Sequence, residues 1–318
     1  MARSTSTALE LKIISPTPHE TSSSTPAYLT PTDASSSTAV QPDAIITITP
    51  PQAIVTFTPT AAPTATDPPP QDWPSLPVVP TVHPQMRGVF QIGLQNGNNP
   101  NAFSKVGDCE TAASWFLMNF DKGPQYFTLG DYANLQSTID QFQESYGRSS
   151  LAARPGFTVA SVLNTYWADP KSCKSQESPL DCELRVHKPS FAFILLGTND
   201  VSFKTRATFE TKIQNILDSL LQKGVIPILA TKADNVEGDN SINQAIATIA
   251  FRNHVPLWNF WAAVQPLPDH GLQEDGVHLT WAADDFSDPA SMLRAWPVRN
   301  LTALQVLQAV VQAVTTAN

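Results

Sequence analysis

The chain has 318 residues, 15% of them charged, with a net charge of −9 and an isoelectric point near 5.0. No basic cluster breaks this acidic balance, so it lacks the electrostatic footprint of a nucleic-acid binder, and no apolar run approaches the roughly 20 residues of a membrane span. Length alone allows two domains, but 16 of the 28 prolines precede Met86 and the first glycine is Gly88.

That asymmetry divides the chain. Residues 1–83 are a Ser/Thr/Pro/Ala mixture that cannot bury enough apolar surface to offset chain entropy, and we expect a disordered linker there. Within it, residues 44–49 and 53–58 are β-prone islands, each cut off by proline. Trp73 is expected to fold back onto the domain surface. Repeated Thr-Pro units such as Thr49-Pro50 and Thr58-Pro59 have the composition of stalks on exported proteins. We therefore expect an extracellular or cell-surface location, although residues 8–15 are too short and too charged for a signal-peptide core. Residues 84–318 are expected to form one domain and a monomer.

In the domain, Val89, Phe90, Ile92 and Leu94 recur at helical spacing, and Asn96-Gly97-Asn98-Asn99-Pro100 stops the helix. Residues 103–108 read as the first core strand, 111–116 as the start of a helix and 121–130 as loop. Leu135, Ile139, Phe142 and Tyr146 lie at i, i+4, i+7 and i+11, which predicts an amphipathic helix. Residues 159–163 begin another. The continuous apolar run 191–196 suits a strand buried on both faces. A helix carrying Phe209, Ile213, Ile216, Leu217 and Leu220 follows, then a strand over 225–230, a helix over 242–251, a strand over 255–260 and a final helix over 301–314. Strand and helix alternate across short connections, which makes the class α/β with a parallel sheet covered on both sides.

Three cysteines are present. Cys173 and Cys182 flank a polar loop and can close a small disulfide ring, leaving Cys109 alone; the other reading is three reduced thiols. Paired C-x-x-C spacing is missing, so no metal site is expected, and no nucleotide-binding glycine pattern or other cofactor motif is present.

Four short blocks stand out. Gly107-Asp108-Cys109 follows the first strand, a lone glycine sits in Arg154-Pro155-Gly156-Phe157, Gly197-Thr198-Asn199-Asp200 follows the apolar strand, and Asp275-Gly276-Val277-His278 precedes the last helix. In this order they resemble the SGNH/GDSL hydrolases, whose blocks read Gly-Asp-Ser, Gly, Gly-x-Asn-Asp and Asp-x-x-His. One position departs: Cys109 stands where that family carries its serine nucleophile. The resemblance implies a flavodoxin-like three-layer α/β/α sandwich, with the blocks gathered beyond the carboxyl ends of the strands, where such sheets bind ligands.

It also implies a chemistry. Acyl transfer needs a nucleophile, a base, a group that orients the base, and donors for the oxyanion. By resemblance these are Cys109, His278, Asp275, and the backbone N–H groups of Cys109 and Gly156 with the side-chain amide of Asn199. A thiolate forms readily beside a histidine, so the expected thiol pKa is depressed. Two functions are open: an esterase that forms an acyl-enzyme on Cys109, acting on small-molecule or O-acetyl carbohydrate esters, or an inactive binding protein on the same scaffold. Trp258 and Trp261 can floor a sugar site, but tryptophan in an apolar strand-helix segment is more often core.

Overall fold

The computed structural model describes residues 72–201 and 206–316. The β-prone islands and most of the expected linker lie outside them. Four parallel strands form the main sheet in the order β1-β3-β4-β5: β1 (Asn99–Gly107), β3 (Pro189–Leu195), β4 (Ile226–Ala230) and β5 (Leu257–Trp258). A second, two-stranded parallel sheet joins β2 (Phe127–Thr128) to β6 (Asp284–Asp285). Among the described residues no fifth strand extends the main sheet beyond β1. There, the 152–154 segment makes a single bridge: Gly107 donates its N–H to Ala152 and accepts from Arg154.

Helices cover both faces. On one lie α1 (Gln85–Gln95), α4 (Gln136–Gln141), α8 (Phe260–Val264) and α9 (Ala295–Thr315); on the other, α6 (Arg206–Gln222) packs against α7 (Ser241–Arg252). Three short or peripheral helices complete the set: α2 (Cys109–Ala112), α3 (Asn119–Lys122) and α5 (Pro179–His187). The α/β class with a parallel sheet covered on both sides, read from the alternation, is the one observed, as is the three-layer arrangement the resemblance implied.

The core explains the register. β3 is buried along its whole length, and Phe191 and Phe193 on one of its faces meet Phe90 from α1, Phe103 from β1, Phe142, Phe116 and Trp258. Fully burying each such ring contributes about 1.5–3 kcal/mol, so a one-residue slip of β3, which would exchange its faces, is strongly disfavoured.

Several elements depart from their expected bounds. The helix expected around 135–146 is regular only over α4, because Phe142 leaves helical geometry and Glu144 takes φ +73°; Phe142 and Tyr146 nonetheless stay in the core. Only a 3-10 turn, Ser161–Leu163, forms where a helix was expected after Gly156. α2 is one turn long. Helix α9 begins ahead of Leu301 and carries Pro297 in its first turn, where a missing N–H costs nothing. Helix α5 was not anticipated; it carries Cys182, which is bonded to Cys173.

Residues 72–83, assigned with the linker on composition, pack on the domain. Trp73 is buried edge-on against Trp261, and the Asn259 side-chain amide donates to the carbonyls of Trp73 and Leu76. Of the two tryptophans, Trp258 follows the core reading, fully buried and donating its indole N–H to Thr302, while Trp261 is half-buried against Trp73.

Candidate active site

Cys109 sits where β1 ends. Asp108 caps the short helix α2 by accepting from the Glu110 N–H, so the chain turns sharply and the thiol is left half-exposed at the helix start. Gly107 permits the turn: a Cβ there would come within 2.2 Å of Thr111 Oγ1 and 2.6 Å of the Leu195 carbonyl oxygen.

Hydrogen bonds tie the four blocks together. Gly107 holds the second block through Ala152 and Arg154. The third block then fixes the far end of that loop, since the Asn199 amide donates to the Phe157 carbonyl at 3.2 Å and the Asp200 carboxylate accepts from the Val159 N–H at 3.0 Å. Between these anchors Gly156 adopts φ +80°, a conformation open to glycine, with nothing within 4 Å of where a Cβ would project. Among the described residues its N–H has no partner.

The fourth block forms a self-contained hairpin. Its Asp275 accepts from the backbone N–H groups of Val277 and His278 and faces His278 Nδ1 across 2.6 Å. This bond holds the Asp275 carboxyl down to about 2 and raises the His278 pKa above its ordinary value. Among the described residues one hydrogen bond joins the hairpin to the first block: the Glu110 carboxylate accepts from the Leu279 N–H at 2.8 Å. No hydrogen bond joins Cys109 to His278 among the described residues.

The thiol's environment contradicts the sequence expectation. Partial burial, followed by the negative charges of Asp108 and Glu110, pushes the Cys109 pKa up, and the backbone amides of Glu110 and Cys109 only partly offset this. Both neighbouring acids are themselves raised by burial, Glu110 to about 7, and so is Asp200 in the third block, to about 7. Cys109 therefore waits as a thiol.

Glu110 and its partner Arg299 were not singled out from sequence. Arg299 Nη1 donates to Glu110 at 2.9 Å, and its guanidinium lies over the rings of Phe116, Trp296 and Phe260. A usable signal existed, because an arginine among Trp296, Val298 and Leu301 in an apolar helix is seldom buried unless paired. Both residues line a cavity of about 30 Å³, room for a water molecule, together with Asp108, Thr198, Lys232 and Asp234. Lys232 is held there by Asp234 and Glu237, and Thr198 donates to Asp234.

Among the described residues, the one Cys/His/Asp/Glu group close enough to share a metal ion is Cys173, Glu177 and Cys182. Its sulfurs are joined to each other and Glu177 pairs with Arg185, so it offers no open ligand set.

An α/β sandwich with these loops at the strand ends defines a hydrolase-type scaffold, and residues 125–285 match the GDSL-like lipase/acylhydrolase family. The chain belongs to that family, whose members as a class act on ester bonds. The match covers Gly156, Asn199, Asp275 and His278 and begins beyond Cys109. Similar solved structures include a lipolytic protein of the G-D-S-L family from Desulfitobacterium hafniense (14% identity, 65% of this chain and 99% of that one, TM-score 0.39). The psychrotrophic esterase EstA from Pseudoalteromonas is another (15%, 65% and 97%, 0.41), as is an acetyl esterase variant with acetate ion (12%, 65% and 98%, 0.41). No curated protein matches the chain by sequence.

Proposed function

We propose that the chain hydrolyses carboxylic esters through an acyl-enzyme on Cys109. The observation that carries this reading is the Asp275–His278 pair, 2.6 Å apart, on a hairpin hydrogen-bonded to the residue that follows Cys109. With the thiol neutral at rest, His278 takes its proton as sulfur attacks the ester carbonyl, in the manner of a serine enzyme. Asp275 holds the imidazole's other nitrogen. The N–H groups of Cys109 and Gly156 and the Asn199 amide receive the oxyanion; its collapse expels the alcohol, which takes the proton back from His278. Water, deprotonated by His278, then attacks the thioester; the C–S bond breaks, the acid leaves, and the Cys109 thiolate takes the proton back from His278.

O-acetyl carbohydrate is the substrate class we favour, on residues other than those first considered. Tyr166 and Trp167 are exposed beside Phe157, and Trp281, 57% exposed, lies three residues beyond His278. Open aromatic faces flanking an acyl site suit stacking on sugar rings. The Cys173–Cys182 disulfide and the stalk-like composition of residues 1–83 support an extracellular or cell-surface setting.

The raised thiol pKa and the missing Cys109–His278 hydrogen bond favour a second reading, a binding protein that has kept the scaffold. Turnover of p-nitrophenyl acetate and of an acetylated oligosaccharide by the native chain, Cys109→Ser and His278→Ala separates the two. Native turnover lost in His278→Ala supports the esterase; turnover appearing only in Cys109→Ser supports the binding protein.

A further inference from the structure

We propose that Glu110 is a positioning residue that fixes the distance between the His278 hairpin and the Cys109 turn, with Arg299 as its buried anchor. The inference rests on the reading that Cys109 and His278 act together. The hairpin is internally complete. Gln273 donates its backbone N–H to His278 and its side-chain amide to Leu279, Gly276 donates to Gln273, and the Leu272–Leu279 bridge closes its base. These internal bonds hold the hairpin's shape, so its contact with the Cys109 turn sets the distance from the imidazole to the thiol.

Thr280 ties the hairpin's end to the start of α9, accepting from the Trp296 and Ala295 N–H groups; toward the Cys109 turn, the hydrogen bond among the described residues is the one from the Leu279 N–H to Glu110 Oε1. The other oxygen, Oε2, accepts from Arg299 Nη1. Arg299 is 3% exposed and its guanidinium is stacked over three aromatic rings, so it cannot swing to solvent as a surface partner would. A charge-assisted bond to a cation fixed in this way makes Glu110 a rigid peg between the last helix and the hairpin. Without it, Arg299 becomes an unpaired buried charge and the hairpin loses its link to the nucleophile turn.

The peg holds best when ionised, and burial first, then the surrounding charges, set where that happens. Arg299 faces it from α9, Asp108 from its own turn, His278 from the hairpin, and Lys232 and Asp234 from across the cavity. With burial pushing Glu110 to about 7, the clamp tightens as pH rises through neutrality.

The test uses the full chain, Glu110→Gln and Glu110→Ala, and reads amide hydrogen exchange and 15N shifts at Leu279 and Gln273 besides p-nitrophenyl acetate turnover. In the native chain and in His278→Ala, the Leu279 amide shift should titrate near pH 7; in Glu110→Gln that titration should vanish while exchange protection is kept, because the amide oxygen still accepts. Glu110→Ala should speed Leu279 exchange by about tenfold or more, leave Gln273 unchanged, and lower kcat by about tenfold with KM altered less than twofold. Unchanged Leu279 exchange in Glu110→Ala, or equal loosening of Gln273, would overturn the proposal. A native chain without turnover refutes the esterase reading instead, and the exchange data still decide the clamp.

Discussion

Replacing Asp200 with asparagine should stabilise the protein at pH 8 and not at pH 4. Asp200 is 1% exposed, and burial pushes its carboxyl from 3.8 to about 7, while its oxygens accept from the Val159 N–H. Between these values the unfolded chain has released the proton and the folded chain still holds it, so the folded state binds more protons and stability falls as pH rises. A shift of about three pH units corresponds to up to about 4 kcal/mol. Asparagine cannot ionise and its oxygen still accepts from Val159, so the loop carrying Gly156 stays tied down. Alanine instead leaves the Val159 N–H unpaired, at a cost of about 1–3 kcal/mol, and should also lower turnover by freeing that loop. Urea denaturation of the native chain and both variants at pH 4, 6 and 8 gives the comparison. Native and Asp200→Asn stability curves that run parallel across this range would refute the reasoning.

Other outcomes follow from the same charges and links. Cys109 should react with iodoacetamide more slowly at pH 7 than a free cysteine, which is about 3% thiolate there; faster alkylation would contradict the raised thiol pKa. Ester turnover should rise with pH through a midpoint above 6.5, since the Asp275 bond raises the His278 pKa and the base must be unprotonated to act; a midpoint below 6 would contradict this. The Cys173–Cys182 bridge closes a short ring, with the two cysteines nine residues apart. Its removal in the double alanine variant should cost about 2–3 kcal/mol in thermal or urea unfolding without loss of fold.

The sheet was legible where burial is two-sided. β3, β4 and the helices α6 and α7 announce themselves because a run such as Phe191 to Leu196 has no solvent face to disguise it. The helix around Leu135 was read too long for a physical reason: its apolar spacing is real, and the core takes Phe142 and Tyr146 from an irregular backbone. Trp258 was legible as core from its apolar strand, whereas the partner of Trp261 was not, because Trp73 lies almost two hundred residues away. The positions of Asp275 and His278 in one hairpin were readable from their i, i+3 spacing. The thiol's electrostatics were not, since they depend on how deeply Asp108, Glu110 and Arg299 are buried. The family resemblance implied a histidine partner for Cys109, whereas the structure surrounds it with carboxylates.

The acyl-enzyme itself is the most direct test of the account. A short pulse of p-nitrophenyl acetate, quenched in acid and followed by intact mass measurement and peptide mapping, should find one acetyl group, carried by the peptide containing Cys109, with the label absent from His278→Ala. An unlabelled native chain, or an acetyl group on any residue other than Cys109, would contradict it.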